Sequence, residues 1–249
     1  MSGVEHFSGP GFSAAYAAYR PHYPDALFEF LARESPAREE AWDAGTGSGQ
    51  VAVGLARYFT HVTATDPATS QLENATPHPH VNYCVGTAER SGLGDASVDL
   101  VTAAQAAHWF NQEQFFAEAR RVLRPRGLVA IWAYGLFEIS PEIDAIMRRF
   151  YYGVVGPYWP PERRHVETRY QSIAFPFAEF PAPRFVIERP MSLEDVAGYV
   201  RTWSATRGFI KHNQQDPVDS LMNQLARAWG VPQPRLARWT VAMRVGRIE

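Results

Sequence analysis

The 249 residues carry 24 basic and 26 acidic side chains, a net charge of -2 with His neutral, and are 46% apolar and 20% charged with 19 prolines. That composition excludes a disordered chain, a collagen-like repeat and a disulfide scaffold, and the length suffices for one large domain or two small ones with a substantial core. The near-neutral charge disfavours an electrostatic nucleic-acid binder, and a single cysteine, Cys84, rules out an intramolecular disulfide and a Cys-based structural zinc site.

Residues 1–11 have neither a basic nor an apolar region, so no signal peptide is expected. No run approaches the ~18 apolar residues of a membrane span, and a soluble cytoplasmic protein is the expectation. Lys211 is the only lysine, a bias that reads as codon composition.

Residues 25–33 place Leu27, Phe28 and Leu31 at helical spacing, and residues 40–43 read as the end of a short buried strand. Residues 50–59 suit a helix with Val51, Leu55, Ala56 and Phe59 on one face. Three further strands are expected at 61–66, 81–86 and 99–103, with Cys84 a small buried apolar residue of the second. Asn111 is placed to cap a helix that runs to 123 with Phe115, Phe116, Ala119 and Val122 inward. Residues 124–127 end it before a fifth strand at 128–133. Strands alternating with helices imply βαβ units, hence a mostly parallel sheet with helices on both faces.

Beyond 134 the pattern changes. Ser140 and Pro141 open a helix with Ile143, Ile146, Met147, Phe150 and Tyr151 on one face, and a proline-rich loop spans 156–161. A sixth strand is expected at 185–187. Ser192 with Asp195 forms a capping-box pattern. Asp216-Pro217 starts a helix that stops at Gly230, and residues 239–248 alternate as a terminal strand would.

The glycines of Asp43-Ala44-Gly45-Thr46-Gly47-Ser48-Gly49-Gln50 fall between a strand and a helix, where a ligand can approach the backbone. The dinucleotide fingerprint G-x-G-x-x-G fails, because Gln50 stands where its third glycine would lie. A P-loop is excluded for want of Gly-Lys-Ser/Thr. Asp43 would repel a pyrophosphate but attract an ammonium group. Asp66, ending the next strand, can accept both hydroxyl hydrogen bonds of a ribose; alone it reads more readily as a cap or turn residue before Pro67, and in phase with the glycine turn the ribose role is favoured. Gly86-Thr87-Ala88-Glu89, Ala104-Gln105-Ala106-Ala107-His108-Trp109-Phe110 and Arg121-Val122-Leu123-Arg124-Pro125-Arg126-Gly127 follow in order.

Those five blocks, in this order and spacing, resemble a class I S-adenosylmethionine-dependent methyltransferase of the methyltransferase type 11 group over residues 12–134. Residues 105–110, the segment 16–24 and the later Tyr199-Val200-Arg201-Thr202-Trp203-Ser204 are similar to trans-aconitate methyltransferase-like small-molecule enzymes. The resemblance implies a Rossmann-like doubly wound α/β fold: a seven-stranded sheet, mostly parallel with an antiparallel last strand, in a single domain. Cap helices would occupy 1–34, the cofactor-binding core 35–134, acceptor-side insertions 135–184 and 190–230, and closing strands 185–189 and 239–248.

By the same resemblance the cofactor is S-adenosyl-L-methionine and the product S-adenosyl-L-homocysteine. Asp43 and the backbone of Ala44, Gly45, Thr46, Gly47 and Gly49 hold the methionine moiety, and Asp66 takes the ribose. Pro67 and Ala88 border adenine, Ala104 and Gln105 lie at the methionyl end, and Tyr16 and Arg20 close over the cofactor. Three positions depart from the pattern: Thr46 replaces a cysteine, Thr87 an acid that Glu89 could replace, and Gln71 an apolar residue against adenine.

Methyl transfer from a sulfonium is an in-line displacement in which the enzyme aligns the acceptor and removes water. His108 is the candidate base for a protonated nucleophile, or equally a residue that fixes its loop. A carboxylate acceptor needs no base and would be oriented by an arginine, with Arg201 and Arg207 as candidates. Trp109, Tyr134, Tyr158, Trp159 and Trp203 are expected around the acceptor, under an apolar lid at 150–159. The expected protein is a methyltransferase of a small-molecule oxygen or other nucleophile, monomeric or homodimeric, with no metal, nucleic acid or membrane partner. The alternative is a non-catalytic or regulatory S-adenosylmethionine-binding homologue. An NAD-dependent oxidoreductase is disfavoured by Gln50 and Asp43.

Overall fold

A computed structural model describes residues 19–230 and 232–248. Five parallel strands form the centre: β1 (Glu40–Ala44), β2 (His61–Asp66), β3 (Val81–Val85), β4 (Val98–Ala104) and β5 (Leu123–Tyr134). With β6 (Ala178–Phe180), β7 (Phe185–Met191) and β8 (Arg235–Arg247), the sheet order is β3-β2-β1-β4-β5-β8-β6, and β7 also pairs with β8. β8 is antiparallel to β5, β6 and β7. The expected seven-stranded, mostly parallel sheet with an antiparallel last strand is thus present, with its outer edge divided in two. β6 faces residues 245–247 of β8 and β7 faces 235–241. Pro181 and Pro183 lie between them, and a residue without an N–H cannot carry an uninterrupted ladder.

Because β4 is covered on both faces it reads as the apolar run Val-Asp-Leu-Val-Thr-Ala-Ala, buried along nearly its whole length. Its one early acid, Asp99, accepts the backbone N–H of Glu39 and Glu40 and a contact from Arg124 at 2.9 Å, so the buried charge is fully engaged. One face of the sheet carries α1 (Asp25–Glu34) and α2 (Gln50–Leu55), with Leu27, Leu31 and Leu55 in the core. Its other face carries the amphipathic α4 (Gln112–Val122), whose start is capped by Asn111 accepting the Gln114 N–H. Between them α3 (Thr69–Leu72) follows β2.

Beyond β5 come α5 (Pro141–Arg148), a π-helical continuation Arg149–Val154, and α6 (Arg163–Glu167). After β7 come α7 (Leu193–Arg201), α8 (Ser204–Asn213) and α9 (Val218–Trp229). α9 buries Val218, Leu221, Leu225 and Trp229, each burial contributing about 2 kcal/mol. Its end is as expected, Gly230 in the left-handed region at φ 74. The capping box is formed: Ser192 Oγ accepts the Asp195 N–H at 3.1 Å, and the Asp195 carboxylate accepts the Ser192 N–H at 2.8 Å. Ser192→Ala is expected to cost about 1 kcal/mol, measured as a fall in unfolding free energy in urea; an unchanged midpoint would show the cap to be redundant.

Two expectations need correcting. Residues 124–127 do not separate α4 from a later strand: β5 starts at Leu123 and shifts register between its pairings Val98↔Leu123 and Leu100↔Leu128, with Arg126 at φ 65. Cys84 is half-buried, not a core residue, because β3 is the edge strand and is only partly covered.

Candidate active site

The strand order reverses at β1, whose neighbours β2 and β4 lead to opposite halves of the sheet. In such sheets the crevice at the carboxyl ends of the strands is where ligands bind. A cavity of about 580 Å³ opens there, between the glycine turn, Asp66, Ala88 and the end of β4, within the size range of cofactor sites.

Local chemistry fixes the turn. Gly45, Gly47 and Gly49 all have positive φ, and the N–H groups of Gly45 and Thr46 both donate to the Thr65 carbonyl. The Gly47 N–H donates to Asp66 Oδ2 and the Ala68 N–H to Asp66 Oδ1, each at 2.9 Å. Asp66 therefore does what a turn aspartate does and still borders the cavity. Asp43 is buried; Thr46 Oγ1 donates to it at 2.6 Å and Thr102 Oγ1 at 2.7 Å. Burial, opposed by those two hydroxyls and reinforced by the Asp66 charge, pushes Asp43 up to about 6. Asp66 is raised as well, by burial against the pull of the Ala68 and Gly47 N–H groups. Two buried carboxylates flanking one turn disfavour a pyrophosphate and favour a cationic ligand.

Other expected residues fall around the same space. Pro67, Gln71, Thr87, Ala88, Glu89, Ala104 and Gln105 line it, as does Arg20; Tyr16 lies outside the described residues. Gln71, which stands where the resemblance has an apolar residue, has its Oε1 buried with no hydrogen-bond partner at the cavity wall. A cradle with one waiting acceptor and two carboxylates fits the donor-rich, positively charged S-adenosyl-L-methionine. Glu89 is partly committed, since its carboxylate accepts the Asn111 N–H at 2.8 Å. Gln50, read only as a missing glycine, donates to the Pro21 carbonyl at 3.0 Å and ties the N-terminal segment over the turn.

Gln105 sits in the left-handed region at φ 53, and its amide donates to the Tyr134 carbonyl at 2.9 Å. Strain of this kind in a non-glycine residue clusters at functional sites. Beyond it lies a second cavity of about 50 Å³, bounded by Arg20, Gln105, Trp109 and Tyr134 on the shared wall and by Tyr151, Trp159 and Trp203 on the far side.

His108, Trp109, Tyr134, Trp159 and Trp203 all line this second cavity. Tyr158 does not: it packs on Phe209 of α8, and Asn213 Nδ2 donates to its hydroxyl. Arg207, also on α8, is absent from the walls of both cavities, and Arg201 is ion-paired to Asp216 and Asp219, both at 2.8 Å. Beside Arg20, the arginine that enters this cavity is Arg163, which the sequence presents only as part of a charged run after Pro160-Pro161.

His108 is buried, with Nδ1 2.9 Å from the Tyr170 hydroxyl. Burial, then the charges of Arg163 and His165, push it down to about 3. It is neutral at physiological pH and a weak base, so the arrangement favours an orienting role over proton abstraction. kcat is expected to run flat from about pH 5.5 to 8; an inflection near 6.5 that His108→Gln abolishes would restore the base.

The methyltransferase domain family matches residues 42–131. A candidate methyltransferase of Dictyostelium discoideum is 37% identical over 221 residues, 87% of this chain and 84% of that protein. A solved structure of a candidate type II methyltransferase from Anaeromyxobacter dehalogenans is 45% identical and superposes with a TM-score of 0.86 over 92% of this chain and 98% of that one. A candidate methyltransferase of an antibiotic biosynthesis pathway from Anabaena variabilis, 19% identical with a TM-score of 0.55 over 89% and 98% of the two chains, shares the fold. With an acidic glycine turn at the switch point and likeness along nearly its whole length, the chain belongs to the class I methyltransferases. It is an enzyme dependent on S-adenosyl-L-methionine.

Proposed function

We propose that the enzyme methylates an oxygen, carboxylate or hydroxyl, of a small molecule seated against Gln105, Trp109 and Tyr134. The observation that carries this reading is the shared wall: the acidic cofactor cavity and the aromatic second cavity meet at those residues and Arg20. S-adenosyl-L-methionine supplies an activated methyl group on a sulfonium. Asp43, with Thr46 and the backbone of the turn, would hold its amino-acid end. Asp66 would take the ribose, and Gln71 would offer an acceptor beside Ala88.

The remaining residues align the acceptor and exclude water. Tyr151 and Trp159 cover the second cavity beside the ends of β4 and β5, which supports residues 150–159 as a lid. A space of about 50 Å³ has to open to admit a whole metabolite, so the lid would be mobile. A carboxylate needs no proton removed; a hydroxyl could be oriented by neutral His108. The net charge of -2 favours a small acceptor over a polynucleotide. Among the described residues no helix is long and apolar enough to cross a membrane. The reading is of one domain, monomeric or dimeric, in the cytoplasm. The likeness to trans-aconitate methyltransferase-like enzymes rests on the segments 16–24, 105–110 and 199–204.

The test is transfer of radiolabelled methyl from S-adenosyl-L-methionine in a mixture of small organic acids and alcohols, with RNA and protein in parallel. Label in the small-molecule fraction as an ester or ether is expected. Label confined to RNA or protein, or none in any fraction, would overturn the reading.

A further inference from the structure

The two cavities carry opposite charge. The first is bordered by Asp43, Asp66 and Glu89; the second, among the described residues, has Arg20 and Arg163 in its wall and no acidic side chain. Arg163 is fixed by contacts other than an ion pair. Its guanidinium lies 4.6 Å from the Trp159 ring centre and 5.6 Å from that of Tyr151. Its Nε donates to the Tyr151 hydroxyl at 2.7 Å. The planar group is therefore fixed in orientation by one hydrogen bond and two ring faces. Among the described residues its terminal amino groups meet no acceptor and it forms no ion pair.

A fork of that kind, stacked and half-buried, matches a carboxylate in two parallel hydrogen bonds. The guanidinium is half-buried, and an anion arriving there would form a charge-assisted pair sheltered by the two rings. The cavity's size suits the end of a molecule: about 50 Å³ is on the order of two waters' share of liquid volume, enough for a carboxylate group. Arg20, whose guanidinium lies 5.4 Å from the Tyr199 ring centre, stands at the wall common to both cavities. It adds a second positive charge on the side where the cofactor and acceptor would meet.

We infer that the methyl acceptor is an organic acid whose carboxylate seats in the second cavity on Arg163, the residue that selects anionic over neutral acceptors. This rests on the methyltransferase reading and adds to it the charge of the substrate and the residue that reads it. The aromatic cover then has two functions, fixing the arginine plane through Tyr151 and Trp159 and keeping water from the ion pair.

The test begins with calorimetric titration of the full chain by S-adenosyl-L-homocysteine; failure at that step would overturn the methyltransferase reading and, with it, the inference that rests on it. The saturated protein is then titrated at pH 7 with acetate, benzoate, succinate and phenyl phosphate, and with acetamide, benzamide and succinamide. At least one carboxylate is expected to bind roughly tenfold or more tightly than its amide. Arg163→Gln should bring that acid to the level of the amide, Arg163→Lys should restore part of the difference, and the homocysteine product's affinity should not change. Amides binding as tightly as acids, no acid binding, an intact preference in Arg163→Gln, or phenyl phosphate bound in preference to every carboxylate would each overturn the inference.

Discussion

Gly49→Ala is expected to disable the cofactor site and to destabilise the fold together. Gly49 has φ 82 and ψ 13 at the N-cap of α2, a left-handed conformation that costs an L-residue roughly 1–2 kcal/mol. An added Cβ would also lie 2.1 Å from the Tyr83 hydroxyl and 2.8 Å from two of its ring carbons. Swinging Tyr83 aside would break the hydrogen bond that its hydroxyl donates to the Thr76 carbonyl at 2.7 Å. Overpacking of this order adds about 1–3 kcal/mol, so a total loss near 3 kcal/mol is expected in urea unfolding. Affinity for S-adenosyl-L-homocysteine should fall with it, because the displaced turn carries the Gly47 N–H that meets Asp66.

Gly47→Ala separates the two effects. There φ is 57, but a Cβ would meet only Gln71 Oε1 at 3.9 Å, on the cavity side. Strain alone should cost about 1 kcal/mol, while the methyl group intrudes where the cofactor would lie. If both variants lost stability and neither lost affinity, the turn would be a geometric device with no ligand.

Asp43 carries the second large effect, in which stability and binding move oppositely. Its carboxyl titrates at about 6 in the folded protein against an ordinary 3.8. Between those values the folded state holds a proton that the unfolded state has lost. The associated stability is fully present below 3.8 and disappears as pH rises through 6, a difference of about 3 kcal/mol. Asp43→Asn removes that ionisation, so its urea midpoint should exceed that of the wild type above pH 6 and the gap should close toward pH 4.

Binding follows the other sign. A positively charged amino-acid end requires the ionised form, so wild-type affinity should weaken by about tenfold per pH unit below 6. The variant's affinity should be weak and flat, lower at pH 8 by roughly 10- to 100-fold, the worth of a hydrogen bond to a charged group. Equal affinities of the two proteins at pH 8 would remove Asp43 from the site.

The sequence made the first half of the molecule legible for a physical reason. Buried parallel strands such as Val98–Ala104 read as apolar runs, and Asp43, Asp66 and the glycines punctuate their carboxyl ends. The second half was less so. The short elements α6 and β6 lack a period long enough to recognise, and Pro181 and Pro183 hide that β6 and β7 share one edge. Candidate site residues failed where their role depended on a distant partner. Tyr158 is turned away by Phe209 and Asn213, and Arg201 is taken by Asp216 and Asp219. Thr102, whose hydroxyl helps to hold Asp43, lies mid-strand with nothing local to mark it. Arg163 depends on rings 4 and 12 residues away closing around it.

The most direct measurement is a crystal structure of the protein with S-adenosyl-L-homocysteine. The ribose hydroxyls are expected on Asp66, the amino-acid end beside Asp43 and the glycine turn, and the sulfur toward Gln105 and the second cavity. An adenosine placed away from Asp66, or a sulfur turned from Gln105, would contradict the assignment of donor and acceptor sides to the two cavities.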